Sequence, residues 1–277
     1  MSSSFNLFRA PALALALGGT LSLAGCAPAI STQEEVQVGA QNAAQISQQL
    51  PIVQDAAINQ YVNQIGTSIS SRADPRGIPY HFFVVNSSVV NAFSIPGGYV
   101  YVNRGLVDRA SNASELAGVL GHEIGHVVER HGIEQWQRAQ NANTGLALLY
   151  GVLLGRNPGT LEQVGIQAVG SGVLARYSRD DERQADADGV QFTMRAGYNP
   201  NGMVTFFQKL LGEQQGNPSA LQQWFSTHPL TQERITSTRQ MVSAIPAAQL
   251  RGLTTDTQAF QNFKARVRSL PAPPRGQ

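Results

Sequence analysis

Hydrophobic residues recur with two different periods along the chain, and these periods predict the order of its elements. Short β-type runs occupy Tyr80 to Val85, Val89 to Ile95 and Tyr99 to Val102. Apolar positions at helical spacing predict helices at Ser31 to Gln49, Asp55 to Ser70, Asn112 to His131, Leu161 to Tyr177, Ser178 to Arg195, Pro200 to Leu211, Leu230 to Ala244 and Thr255 to Ser269. The pattern therefore predicts a mainly α domain with a small β-sheet (α+β), in which the sheet precedes one long helix.

Boundary signals support the long helix and one turn of the sheet. Asn112 is placed as an N-cap with Glu115 three residues later, as in a capping box. Gly132 is expected to cap the C-terminus, with His131 in the last turn. Pro96-Gly97-Gly98 predicts the turn between the last two β-type runs. The apolar run from Thr144 to Gly155 has twelve residues, too few to span a bilayer, and it predicts a buried helix.

The first residues have the pattern of a targeting segment rather than of a folded element. Arg9 precedes an apolar stretch from Pro11 to Leu23, which ends in Leu23-Ala24-Gly25-Cys26. This end resembles the lipobox of bacterial lipoproteins, which implies a signal peptide at 1–25, an acylated Cys26 and a linker at 26–30. Ala27 carries no aspartate retention signal. In a Gram-negative host we therefore expect a periplasmic protein anchored to the inner leaflet of the outer membrane.

Composition and charge exclude several classes of protein. A chain of 277 residues with 42% hydrophobic and 14% charged residues has enough apolar side chains for a globular core. The net charge is +2 and only Lys209 and Lys264 are lysines, so nucleic acid is not an expected partner. Cys26 is the only cysteine, which excludes an internal disulfide. We expect one domain at 31–245, followed at 246–277 by a helix and a proline-rich tail.

The segment His122-Glu123-Ile124-Gly125-His126 has the spacing of a metal site. On a helix the two histidines lie one turn apart on the same face, so both imidazoles can reach one ion. Glu123 lies at the flank of that face, where a carboxylate can accept a proton from the attacking water. Five residues match such a pattern easily by chance, so an ordinary helix with two histidines is the alternative that the segment leaves open.

A catalytic zinc ion usually has three protein ligands, so a third group is required. His131 is nine residues after His122, but the three-histidine pattern needs glycine at 129 and histidine at 132, where this chain has Glu129 and Gly132. We therefore expect His131 to be a helix-end residue. The other candidate is Glu182, which lies on a separate predicted helix.

Four motifs in this order resemble those of a gluzincin family of zinc metallopeptidases. The family includes the CAAX prenyl endopeptidase, the bacterial heat-shock membrane protease and periplasmic relatives that enhance β-barrel assembly. The motifs span about 145 residues, so the resemblance is far more specific than the histidine pair alone. They are Asn91-Ala92-Phe93 with Pro96-Gly97-Gly98, Gly121 to His126 with Arg130-His131, Ser178-Arg179 with Glu182 and Ala185-Asp186, and Thr227-His228-Pro229 with Glu233-Arg234-Ile235.

The resemblance implies a zincin-like domain and roles for its site residues. Glu123 is expected to act as general base, and Asp186 to accept the free N–H of a ligand histidine. His228 either stabilises the oxyanion, occupies the fourth zinc position or is a plain loop residue, and Arg234 either supports the site or forms a salt bridge. The implied ligands of a single zinc ion are His122, His126 and Glu182. Expected surface charges are Asp180, Asp181, Arg183 and Asp188.

These expectations define a function and its rivals. We expect a zinc-dependent endopeptidase that hydrolyses misfolded or unassembled cell-envelope proteins, with substrate aligned along the strand Asn91 to Ile95. The alternatives are a zinc-containing chaperone or assembly factor for outer-membrane proteins, and a structural lipoprotein without metal. No segment after Cys26 is expected to span a membrane, and only a short helical tail follows Ile245, where some relatives carry tetratricopeptide repeats. Prenyl-protein processing is therefore disfavoured.

Overall fold

The computed structural model describes residues 30–142, 177–216 and 221–273. Its three strands are β1 (His81–Val85), β2 (Ala92–Ile95) and β3 (Tyr99–Asn103). Its helices are α1 (Thr32–Gln49), α2 (Ala56–Ala73), α3 (Arg104–Arg109), α4 (Ala113–Val128), α5 (His131–Ala142), α6 (Arg179–Arg195), α7 (Asn201–Gly216), α8 (Gln222–Thr227), α9 (Gln232–Ser243), α10 (Ala247–Leu250) and α11 (Gln258–Arg268). The predicted mainly α-helical α+β class is confirmed.

Most predicted elements are present, and their ends differ by a few residues. The predicted signal peptide, the acylation site Cys26 and the helices expected between 144 and 176 lie outside the described residues. Helix α5 and the short helices α3, α8 and α10 were not predicted. The long helix was predicted to reach His131, and this was wrong: α4 ends at Val128, and Arg130 adopts a positive φ of 60° before α5 begins.

The three described strands form one mixed sheet in the order β1-β3-β2. Strand β3 pairs in parallel with β1 and antiparallel with β2, which leaves β2 at a border of the described sheet. The turn before β3 requires glycine, because Gly97 and Gly98 have φ values of 83° and 89°. A Cβ on Gly98 would also lie 2.4 Å from the carbonyl oxygen of Pro79. The predicted turn is therefore confirmed.

Helix α4 lies at the centre of the core, since every residue from Ala113 to Val127 is buried. A helix that is buried on all sides must be covered by several elements, and here α2, α6, α7 and the sheet surround it. Aromatic side chains of the last helix complete this core, because Phe260 and Phe263 of α11 belong to the same cluster. A second cluster lies between α1 and the sheet and contains Phe93 and Tyr101.

Small residues allow α4 and α6 to approach each other closely. A Cβ on Gly121 would lie 2.7 Å from Oγ1 of Thr193, and one on Gly125 would lie 3.1 Å from the Cα of Ala185. Larger side chains at these positions would hold the helices apart. The glycines thus bring the polar start of α6 next to the histidines of α4.

A buried ionic network, which we call the Glu35 cluster, ties the start of α1 to the end of α4. Glu35 is fully buried and accepts hydrogen bonds from Nη1 of Arg76 at 3.1 Å and from Nε of Arg130 at 2.8 Å. Arg76 also donates to the carbonyl oxygen of Val127 at 2.8 Å, and Arg130 donates to that of Ile30 at 2.5 Å. The cluster explains why α4 ends where it does, because it holds Arg130 at the break.

Among the described helices, none combines the length and the apolar composition needed to cross a lipid bilayer.

Candidate metal centre

Helix α4 carries three of the predicted site residues. Its N-cap is confirmed as Asn112, whose Oδ1 accepts a hydrogen bond from the backbone N–H of Glu115 at 3.1 Å. His122 and His126 are one turn apart on one face, and their Nε2 atoms lie 3.1 Å from each other. Glu123 is fully buried on the flank of that face. The helix therefore directs two imidazole nitrogens to one point with a carboxylate beside them.

Helix α6 brings Glu182 to the same point. The helix begins at a capping box in which the Ser178 hydroxyl accepts the backbone N–H of Asp181, while the Asp181 carboxylate accepts that of Ser178. In the next position Oε1 of Glu182 lies 3.5 Å from Nε2 of His126, and Oε2 lies 3.6 Å from Nε2 of His122. The structure thus brings together the two histidines and the glutamate that the resemblance implies.

His228 contributes a fourth donor from the end of α8. Its backbone N–H donates to the carbonyl oxygen of Trp224 at 2.8 Å, and its ring stacks on the Trp224 ring with centroids 4.9 Å apart. Nδ1 of His228 lies 3.0 Å from Oε1 of Glu182 and 3.3 Å from Nε2 of His122. His228 is therefore not a plain loop residue, because its ring is fully buried among the candidate ligands.

The four donors fit a single zinc ion. One ligand atom from each of His122, His126, Glu182 and His228 lies within 4.8 Å of the other three. Donors bound tetrahedrally at about 2.0 to 2.1 Å from zinc are about 3.3 to 3.4 Å apart. The five distances between donor atoms quoted above, measured to one or the other oxygen of Glu182, lie between 3.0 and 3.6 Å. Two imidazole nitrogens and a carboxylate at such distances form a donor set that zinc prefers.

Asp186 and Arg234 support this donor set from behind. Oδ1 of Asp186 lies 3.0 Å from Nδ1 of His122, on the ring edge that faces away from the cluster. Nδ1 of His122 has no hydrogen-bond partner among the described residues, so this contact acts through charge: the nearby carboxylate favours the tautomer with the proton on Nδ1 and the lone pair on Nε2. Arg234 is buried and donates to both oxygens of Asp186, from Nε at 2.7 Å and Nη2 at 2.6 Å, and it also forms an ion pair with Glu182. The two roles expected for Arg234 are therefore combined, because its salt bridges support the site.

Burial and neighbouring charges shift the pKa values of the cluster in different directions. Burial lowers the pKa of His126 well below its ordinary value, and nearby His122 adds to this effect. Burial alone would raise the pKa of Glu182, but the charges of His228 and Arg234 lower it well below the usual carboxyl range. Burial likewise opposes the charged form of His228, yet Glu182 and Glu123 raise its pKa. The site therefore favours an ionised Glu182 and an unprotonated His126, the forms in which both can bind a cation.

His131 contacts the site from outside the donor set. It is the first residue of α5 rather than the last turn of α4, and its Nδ1 lies 2.9 Å from Nδ1 of His126. Its Nε2 lies 3.0 Å from Oε1 of Gln184. His131 thus meets the ring nitrogen of His126 that faces away from the cluster, a contact that helix periodicity does not predict.

Tyr177 covers the cluster and was not predicted as a site residue. Its ring stacks on His126 with centroids 3.7 Å apart, and it is buried. Burial, with the charge of Glu123 adding to it, raises the pKa of Tyr177 well above its ordinary value. A narrow cavity of about 10 Å³ lies beside it, lined among others by Ser94, His126 and Ile133. The only sequence signal for Tyr177 is its position directly before the Ser178 cap.

Of the four expected surface charges on α6, two are exposed, one is partly buried and one is buried. Asp180 and Arg183 are exposed, as predicted. Asp181 is buried and completes the capping box described above, so the expectation was wrong for this residue. Asp188 is partly buried, and burial together with the charge of Glu129 raises its pKa to about 6.

Comparisons with known proteins agree with this geometry. Residues 56–242 match the model of peptidase family M48. The chain is 32% identical over 239 residues to the beta-barrel assembly-enhancing protease of Escherichia coli (strain K12), covering 83% of this chain and 46% of that protein. It is 34% identical over 160 residues to the mitochondrial metalloendopeptidase OMA1 of Arabidopsis thaliana, covering 57% and 30% of the two chains. It is also 28% identical over 249 residues to the metalloprotease YcaL of Escherichia coli (strain K12), covering 88% and 87%. The chain thus spans less than half the length of the assembly-enhancing protease.

Proposed function

The chain belongs to peptidase family M48, and from this premise we propose that it is a zinc-dependent endopeptidase of the cell envelope. The observation that carries the proposal is the buried set of His122, His126, Glu182 and His228 with Glu123 beside it. The names of its relatives support a substrate class. We propose that it hydrolyses misfolded or unassembled envelope proteins, as an enzyme similar to a beta-barrel assembly-enhancing protease would.

His122, His126 and Glu182 would hold the ion, and Asp186 keeps the His122 ring in the tautomer that binds it. When bound, zinc supplies a Lewis acid that polarises the scissile carbonyl and lowers the pKa of water to about 7. The Glu123 carboxylate accepts the proton of the attacking water and donates it to the departing amine, so that one water is consumed for each peptide bond broken. His228 would have one of two roles: it would stabilise the oxyanion, or it would occupy the fourth position of the ion until substrate displaces it.

A conservative substitution of the base tests the activity. In Glu123→Gln, zinc content should stay at one ion per chain, and cleavage of casein should fall at least about 100-fold, the range that general acid–base catalysis contributes. His122→Ala should lose both zinc and cleavage. Glu129→Gln, the same chemical change at an exposed residue at the end of α4, is the matched control and should cleave as the wild type does. Full activity in Glu123→Gln, with zinc retained, would remove Glu123 as the base.

A specific observation favours a second candidate function, a zinc-containing chaperone or assembly factor. Structural zinc sites are closed by four protein ligands, and here His228 provides a fourth buried donor. Two assays, on the zinc-loaded wild type and on Glu123→Gln, distinguish the two functions. An endopeptidase cleaves casein and stops on addition of a chelator, whereas an assembly factor suppresses aggregation of an unfolded outer-membrane protein equally well with Glu123→Gln.

We also propose that substrate adds a strand to β2. In support, β2 lies at the border of the described sheet and Ser94 on this strand contacts Glu123, so a paired peptide would run past the base. The test uses a cleaved peptide with single backbone N-methyl groups. Cleavage should fall at alternate positions, because only every second N–H of an added strand faces the sheet. Prolines placed in β2 should likewise reduce cleavage. Uniform cleavage of the whole N-methyl series would refute this binding mode.

The location of the protein is proposed from Cys26. Two or more acyl chains on this residue would anchor it stably to a membrane, on the periplasmic side of the outer membrane in a Gram-negative cell. Labelled palmitate should be incorporated into the wild type and not into Cys26→Ser, and the variant should move from the membrane to the soluble periplasmic fraction. Equal labelling of both proteins would exclude acylation at this cysteine.

A further inference from the structure

We infer that Ser94 is a positioning residue: its hydroxyl holds one oxygen of the Glu123 carboxylate and leaves the other oxygen to accept a proton. The inference rests on the proposed function. It concerns a residue of strand β2, outside both helix α4 and the segment His122-Glu123-Ile124-Gly125-His126. Ser94 is buried, and its Oγ lies 3.0 Å from Oε2 of Glu123 and 3.0 Å from the backbone oxygen of the same residue. Its hydroxyl is therefore directed at the base.

The chemistry of the contact decides how the proton of the Ser94 hydroxyl is used. The backbone oxygen of Glu123 only accepts, and a carboxylate in the form that can act as a base also only accepts, so the hydroxyl is the donor. A hydrogen bond to an ionised carboxylate is shorter and about twice as strong as one to a neutral oxygen. The carboxylate is thus the preferred acceptor, and Oε2 is the anchored oxygen.

The other oxygen of Glu123 is left to react. Oε1 of Glu123 has no hydrogen-bond partner among the described residues, and it lies 3.4 Å from Nε2 of His228. It is fully buried within the donor set. An oxygen that is desolvated, accepts no hydrogen bond from the described residues and is directed at the metal cluster is suited to accept a proton, whereas Oε2 already accepts one from Ser94. Ser94 thus fixes the rotation of the carboxylate so that Oε1 faces the attacking water.

The position of Ser94 gives this contact a further consequence. The residue lies 29 positions before Glu123, on the strand proposed to pair with substrate. A shift of β2 would therefore move the hydroxyl that holds the base. The orientation of the Glu123 carboxylate therefore depends on the position of strand β2.

The first test measures catalysis with zinc content as a control. In Ser94→Ala, kcat for a fluorogenic peptide should fall about 10-fold to 100-fold, the loss expected from one hydrogen bond to a charged group, while KM stays within about twofold. Zinc should remain at one ion per chain. The matched control is Thr193→Val, since Thr193 is a buried hydroxyl that binds a backbone oxygen of α4 and no site residue. Its kcat should stay within about twofold of the wild type.

The second test needs no activity, so it separates failure of this inference from failure of the proposed function. Melting temperatures are measured on the zinc-free wild type, Ser94→Ala, Glu123→Ala and the double variant. If the hydroxyl bonds the carboxylate, the shift caused by Ser94→Ala should fall to about half or less in the Glu123→Ala background. If Ser94→Ala gives no melting transition, Ser94→Cys replaces it, because a thiol of similar size is a weaker donor.

Two results would overturn the inference. Additive melting shifts would mean that the hydroxyl serves the backbone oxygen or Tyr177 and not the carboxylate. An unchanged kcat in Ser94→Ala would mean that the base needs no anchor. Loss of zinc together with activity would also contradict it, because Ser94 would then act on the metal ligands.

Discussion

Replacement of Arg234 by methionine tests how the buried charges of the centre are balanced. Methionine keeps the length of the side chain and its packing near Phe207, whose ring centroid is 5.1 Å from the guanidinium carbon. It removes the only arginine that contacts both Glu182 and Asp186 among the described residues. Two buried carboxylates then lose their cationic partner in the zinc-free protein.

The expected cost follows from the burial of all three groups. Arg234 is 5% exposed, Asp186 2% and Glu182 0%, so solvent screens their charges little. Breaking a buried ion pair by removal of one partner costs about 3 to 5 kcal/mol. For a domain of this size 1 kcal/mol corresponds to about 2 to 4 °C, so the melting temperature should fall by about 6 to 20 °C.

The assay is thermal unfolding of the zinc-free protein, followed by circular dichroism at neutral pH. Arg239→Met is the matched control, because Arg239 is exposed on the same helix α9, and its change should stay within about 0.5 kcal/mol. Adding Asp186→Asn to Arg234→Met should recover part of the loss, since one unpaired charge is then neutral. Equal melting temperatures for the Arg234 and Arg239 variants would refute the reasoning.

Three further predictions concern other parts of the molecule. Because the pKa of Asp188 is raised to about 6, its charge destabilises the folded state above pH 6, and this effect disappears as the pH falls towards 4. Asp188→Asn should therefore raise the stability by about 1 kcal/mol at pH 8, after allowance for its half-exposed position, and by only about 0.2 kcal/mol at pH 4; equal gains at both pH values in a melting series would contradict the charge effect. Gly39→Ala should destabilise by about 1 to 3 kcal/mol, since its Cβ would lie 2.1 Å from the carbonyl oxygen of Pro96, whereas Gly212→Ala has nothing within 4 Å and should be neutral or stabilising; urea unfolding compares the pair, and the opposite order would show that the α1 contact is not close. Zinc at about 100 times its Kd should stabilise the wild type by about 2.7 kcal/mol and leave His122→Ala unchanged, whereas equal melting shifts in both proteins would place the ion elsewhere.

The sequence predicted those parts of the site that depend on local spacing. The i, i+4 relation of His122 and His126 follows from helix geometry alone, and the N-cap at Asn112 follows from a side chain that binds the helix start. The resemblance to the gluzincin motifs brought in Glu182, since no periodicity connects a residue 56 positions after His126 with the same ion. Its contact distances depend on the glycines that let α4 and α6 approach.

The remaining features depend on contacts between distant residues. Helix α4 was expected to continue to His131, because Gly132 follows it and glycine is the usual C-cap. It ends earlier because Arg130 adopts a positive φ, which is rare for a residue with a side chain. Its bonds to Glu35, 95 positions earlier, stabilise this conformation. The contact of Ser94 with Glu123 is likewise tertiary, and no sequence pattern predicts that a serine on a short strand will contact this residue.

The Glu35 cluster also connects the start of the described chain to the end of the helix that carries His122 and His126. The carbonyl of Ile30, at the first described residue, is bonded to Arg130, and Glu35 one turn into α1 is bonded to the same side chain. A pull on the chain ahead of Ile30 is therefore borne first by the corner between α4 and α5, four residues beyond His126. Tension at the N-terminus would therefore act on Arg130, at the end of the helix that carries His122 and His126.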